Sequence, residues 1–130
     1  MSWGPYPWRT LPGALSVARL RGGVWEVVRG RKSHCDFVII TATPLAFVRA
    51  RFAPRILATP AEIGRDSAPD LLRLRSIGAG SGISRELWLR SKHDTWRFFR
   101  VGDIGLVELS REGRPIKPMA GSLKERNAIR

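Results

Sequence analysis

Several residue types that chemistry depends on are scarce in this chain. It has one cysteine, two histidines and one tyrosine in 130 residues. The lone Cys35 excludes an internal disulfide and suits a reducing compartment. With only His34 and His93 beside it, a zinc site cannot be assembled from one chain. No apolar run approaches the roughly 20 residues that cross a bilayer. The opening Met1–Pro12 lacks the basic-then-apolar order of a signal peptide. A cytoplasmic protein with no membrane partner is expected. No glycine-rich phosphate loop of the Walker or dinucleotide type is present. Acids are scarce too: 11 Asp and Glu stand against 23 Lys and Arg.

That shortage of acids sets the partner class. The net charge is +12 and the pI about 11.6. Nineteen of the 23 basic residues are arginine, whose planar fork grips phosphate with two donors and stacks on bases. Compositional bias explains arginine over lysine but not the excess of bases over acids. The expected partner is nucleic acid, DNA ahead of RNA, with a protein or ribosomal surface as the alternative.

The chain is long enough for one domain with its own core. Residues 1–12, with Trp3, Tyr6 and Trp8 among prolines, read as an N-terminal arm that packs its rings on the domain or stacks on bases. Residues 13–20 read as a short helix ended by Gly22-Gly23. Residues 24–29, 36–41 and 45–52 read as strands of a three-stranded meander, the second with the continuous apolar centre Phe37-Val38-Ile39-Ile40. Thr59, Pro60 and Glu62 have the spacing of a capping box with proline at the first helical position, so 60–77 reads as one broken helix or two. Strands follow at 85–90, 96–101 and 104–109, and residues 110–130 read as a basic flexible tail. The fold class is α/β (α+β), a domain over 13–109 with a central mixed sheet of five to six strands flanked by helices.

Asp36 enters one strand, and Leu45, Phe47, Arg49 and Arg51 alternate on the next, so both arginines point to one face. The runs Trp25–Arg29, Asp36–Ile40, Phe47–Arg51, Arg85–Leu89 and Trp96–Val101, in this order, resemble the PD-(D/E)XK nuclease superfamily. The likeness is to small archaeal proteins of the Holliday-junction-resolvase type, with a restriction-endonuclease-like fold. The family's core is a helix, a hairpin bearing an acid, a strand reading roughly Phe-Val-Glu-Val-Lys, a helix and further strands. The resemblance puts Asp36 at the metal-binding aspartate, Arg49 at the glutamate and Arg51 at the lysine. Relatives resemble two-fold dimers, which makes a homodimer an expectation here.

Two carboxylates in that family hold a divalent metal that activates water. Arg49 removes one ligand and brings a cation close. At about 4 Å and an effective dielectric of 20, that costs about 4 kcal/mol per unit of metal charge. The expected function is therefore nucleic-acid binding on a catalytically degenerate nuclease-like shell, with Asp36 a vestigial catalytic residue that ion-pairs with Arg49 or Arg51. Arg29, Arg31, Lys32, Arg49, Arg51 and Arg55 are the expected phosphate contacts, against a reading of the basic turn as solvated loop charge. No cofactor or metal is expected. Magnesium enters only with the alternative, an active structure-selective endonuclease whose second carboxylate has migrated to Glu62, Asp66 or Asp70.

Three further features have plainer readings. His34 and Cys35 diverge as neighbours on a strand, so Cys35 reads as a buried small hydrophobe rather than a nucleophile. His93-Asp94 reads as turn chemistry. Trp88, Trp96, Phe98 and Phe99 read as sheet-face packing, with an exposed stacking pair as the alternative.

Overall fold

A computed structural model describes residues 5–26, 33–40 and 44–116. The elements are α1 (Pro5–Arg21), β1 (Val24–Glu26), β2 (Phe37–Ile39), β3 (Leu45–Phe52), α2 (Pro60–Asp66), α3 (Ala68–Arg75), β4 (Ile83–Arg90), β5 (Trp96–Val101) and β6 (Leu106–Leu109). The helix expected over 13–20 begins eight residues earlier and takes in most of the segment read as an arm. Pro5 and Pro7 lie in its first turn, where a missing N–H costs no bond. Pro12 stands inside the helix and removes one intrahelical bond. The apolar face of Ala14, Leu15, Val17 and Ala18, all buried, offsets that loss.

The six strands form one mixed sheet in chain order, as the expected α+β class requires. β1, β2 and β3 are an antiparallel meander, β3 and β4 run parallel, and β4, β5 and β6 are antiparallel. The parallel step needs a crossover, which α2 and α3 supply. Their start follows from local chemistry. Glu62 N–H donates to Thr59 Oγ1 at 3.2 Å and Thr59 N–H to Glu62 Oε1 at 2.9 Å. Pro60 occupies the first turn, so the capping box expected from the sequence is complete.

Helices cover both faces. Under α1 lie Phe37, Ile39, Ala46, Val48, Ala50, Trp88, Phe98 and Leu109. Trp88 meets Phe37 and Phe98 edge-on, at 5.5 and 5.0 Å between centroids, the geometry that aromatic quadrupoles prefer. Gly13 lets α1 approach this layer closely, since a Cβ there would sit 3.0 Å from the Trp96 ring. Under α2 and α3 lie Val38, Leu87, Leu89, Phe99 and Val101. β4 is thus buried on both sides, Trp88 facing α1 and Leu87 and Leu89 facing α3.

Ends of elements differ from expectation. β2 starts after Asp36, and β1 is described only to Glu26, so residues 27–29 of the expected first strand lie outside the described residues. β6 begins at Leu106 rather than 104. The segment read as a free tail turns back at once. Ile116 N–H donates to Glu108 O at 2.9 Å, and Leu109 bridges Pro115. Residues 117–130 lie outside the described set.

Candidate nucleic-acid interface

The pleat of β3 alternates its side chains, and Ala46, Val48 and Ala50 are buried under α1. Leu45, Phe47, Arg49 and Arg51 therefore share the α2/α3 face, as the spacing predicts. Asp36 lies across from Arg49, one residue before β2. Its N–H donates to Val48 O at 2.7 Å. Its carboxylate accepts the Ala50 N–H at 2.8 Å, which extends the strand pairing by a side chain. The same oxygen, Oδ2, accepts Arg51 Nη1 at 2.9 Å. Asp36 is thus the ion-pair partner expected of it.

Asp70 completes the cluster. It sits in the first turn of α3, where its charge suits the helix dipole. Its Oδ1 accepts Arg49 Nε at 2.9 Å and Arg51 Nε at 3.0 Å. The sequence offers Asp70 only as one of three carboxylates for a migration towards Asp36; the packing of α3 on β3 brings it to the arginines. Arg49 also donates to Ser33 O at 2.6 Å, which fastens the exit of the β1–β2 loop to β3. Burial lowers the Arg49 pKa first, the neighbouring Arg51 lowers it further, and Asp70 opposes both. A guanidinium stays charged under such a shift. Arg55, a few residues past the end of β3, pairs with Asp66 at 3.0 and 3.3 Å in the open.

These residues edge a cleft of about 810 Å³ between the C-terminal end of β3, Leu89 and the start of α3. Its walls include Phe52, Pro54, Ile63 and Pro69. Arg49 is 11% exposed, Arg51 34% and Arg55 55%, so the arginines grade outward from the cleft to its rim.

The donor set does not suit the divalent cation that the resemblance implies. Magnesium takes carboxylate and water oxygens in a tight octahedron. Here the two nearest carboxylates, Asp36 and Asp70, both hold the Arg51 guanidinium. Glu62 is occupied in its capping box, and Asp66 holds Arg55. Among the described residues no three His, Cys, Asp or Glu converge.

Arg29, Arg31 and Lys32 lie outside the described residues. Ser33, the next described residue, accepts from Arg49. Cys35 is buried, and its thiol is pushed up to about 11, by burial first and then by Asp36. His34 Nδ1 is 2.8 Å from Ser76 Oγ, away from that thiol. Asp94 takes the turn conformation at φ 64°. It accepts Arg90 Nε and Trp96 Nε1, which lower its pKa in that order. Trp88, Phe98 and Phe99 are buried, so the stacking alternative does not fall on them.

A second charged cluster, on the α1 face, escapes sequence reasoning. Glu86, fully buried on β4, accepts four hydrogen bonds. Arg21 Nη1 and Nη2 donate at 2.8 and 3.1 Å, Ser84 Oγ at 2.7 Å and Trp88 Nε1 at 2.9 Å. Ser, Glu and Trp spaced by two on one strand were the available signal; the partner from α1 was not. Gly113, at φ 92°, backs this cluster, since a Cβ there would lie 2.6 Å from Arg21 Nη2.

No helix among the described residues is long and apolar enough to cross a membrane. No family model, curated protein or solved structure matches this chain.

Proposed function

We propose that the protein binds nucleic acid through the sheet end that carries Arg49, Arg51 and Arg55, on a nuclease-like shell without the family's metal chemistry. The observation behind this reading is the common face of Arg49 and Arg51 towards the C-terminal end of β3. Charge distribution supports it. Asp36, Asp66, Asp70, Glu86, Asp94, Asp103 and Glu108 each hold an arginine within the fold. Those seven acids include the partners of Arg49, Arg51 and Arg55, and the chain keeps a +12 surplus that favours a polyanion. The order of helix, three strands, helices and further strands also agrees with the resemblance to the PD-(D/E)XK superfamily. A cytoplasmic location, DNA as partner and assembly as a homodimer belong to the same proposal.

Titration of labelled single-stranded and duplex DNA, and of RNA, at several salt concentrations tests it. Arg29→Ala/Arg31→Ala/Lys32→Ala leaves every ion pair named above intact. It should weaken binding, and the slope of log K against log salt should fall by about 0.9 for each duplex phosphate no longer neutralised. Absence of binding at low salt would refute the proposal, as would identical slopes.

A second reading, an endonuclease with a displaced carboxylate, requires Asp36 and Asp70 to release the Arg51 guanidinium that both hold. Cleavage of branched DNA with manganese, abolished by Asp36→Ala, would establish it. Inactivity with both magnesium and manganese on branched substrates would remove it.

A further inference from the structure

Among the described residues, the α2/α3 layer stops short of the sheet edge. Val38 on β2 is buried beneath it, at 8% exposure, whereas Trp25, its register partner on β1, is 67% exposed. Directly paired residues project to the same face, so Trp25, Val38 and Phe47 form one row. Two residues along β3 from Phe47 is Arg49, and two further is Arg51. Trp25 and Arg49 thus stand on one surface, about 12 Å apart at ordinary strand spacing and rise. Ile40, 45% exposed, and Leu45, 37% exposed, lie in the next row of the same face, on the side away from the arginines.

We propose that Trp25 is a base-stacking platform, and that the ligand of this face is a single strand rather than a closed duplex. An indole left largely in water offers a flat apolar surface to a partner. Which partner is decided by what surrounds it. The chain's net charge is +12, and Arg49 and Arg51 share the face. An aromatic face beside a basic track is the arrangement that holds single-stranded nucleic acid, each base stacking while its phosphates meet cations. A duplex keeps its bases stacked on one another and has none to give.

This inference rests on the proposed function, and the experiment separates the two. Fluorescein-labelled single-stranded oligodeoxynucleotide and the same sequence as duplex are titrated with wild type, Trp25→Ala and Trp25→Phe. Trp25→Ala should weaken single-strand binding by about fivefold to a hundredfold and leave the salt slope unchanged, because every phosphate keeps its cation. Trp25→Phe should recover most of the affinity, and duplex binding should move much less. Exposure of the side chain lets all three proteins share one fold, checked by circular dichroism. Wild-type binding that Trp25→Ala leaves unaltered would overturn the stacking role alone. Failure of wild type to bind either probe would overturn the proposed function with it. Conversion of a dimer to a monomer by Trp25→Ala, with DNA affinity unaltered, would mark the patch as a protein interface and overturn the inference.

Discussion

Replacing Glu86 with alanine should destabilise this domain more than the loss of any other single carboxylate in the fold. The Glu86 carboxylate is fully buried, and its partner Arg21 is 12% exposed. Alanine would leave that guanidinium, the Trp88 Nε1–H and the Ser84 hydroxyl without their acceptor. Breaking a buried pair by removing one member costs about 3–5 kcal/mol, because the other charge stays desolvated. A domain of this size is stable by roughly 5–15 kcal/mol, so the loss takes about a fifth of it or more. With unfolding entropy near 2.1 cal/mol/K per residue, each kcal/mol moves Tm by about 4 °C, and Glu86→Ala should lower it by about 10–20 °C. Thermal melts and urea titrations followed by circular dichroism give both quantities, with the urea slope unchanged. Glu86→Gln should lose nearly as much, since its –NH₂ must face one of the donors. Arg21→Met/Glu86→Met should restore much of the stability, because a well-packed apolar pair replaces a buried ionic one at little net cost. A loss below about 1 kcal/mol for Glu86→Ala would refute the role given to this cluster.

Asp70→Asn should move stability and affinity in opposite directions. It removes the charge that holds Arg49 and Arg51 together, costing about 1–2 kcal/mol on partly buried pairs. It also frees one positive charge for phosphate, worth roughly 1 kcal/mol at 4 Å in water, or about fivefold tighter DNA binding at low salt. Weaker binding would contradict the phosphate role of that arginine pair. For Cys35 the sign is set by a folded thiol near 11 against about 8.5 in an unfolded chain. Its contribution to stability is full below about pH 8.5 and is lost as pH rises through 11. Cys35→Ala should flatten that part of the pH–stability curve, and iodoacetamide at mildly alkaline pH should label the unfolded protein far faster than the folded one. Thr10 is 2% exposed, and its hydroxyl has no hydrogen-bond partner among the described residues. Thr10→Val should therefore hold or raise Tm, and a loss above about 1 kcal/mol would show that the hydroxyl is satisfied in solution.

Where the governing interaction is local, the residues announced their structure. Thr59, Pro60 and Glu62 define a helix start because capping involves neighbours three apart. The alternation Leu45, Phe47, Arg49, Arg51 fixes a shared face because a strand's pleat has period two. The charge excess of the chain is a property of composition alone. Proline was misleading for a related reason: the prolines of residues 1–12 read as part of an arm, yet a helix's first turn needs no N–H from Pro5 or Pro7. The charged clusters were beyond such reasoning. Asp70 reaches Arg49 across 21 residues and Arg21 reaches Glu86 across 65, and no periodicity links chain segments so far apart. Their union depends on how α3 and α1 settle on opposite faces of one sheet. The exposure of Trp25 likewise depends on where the covering helices end. Pattern set the faces, and packing chose which charges meet and which ring stays in water.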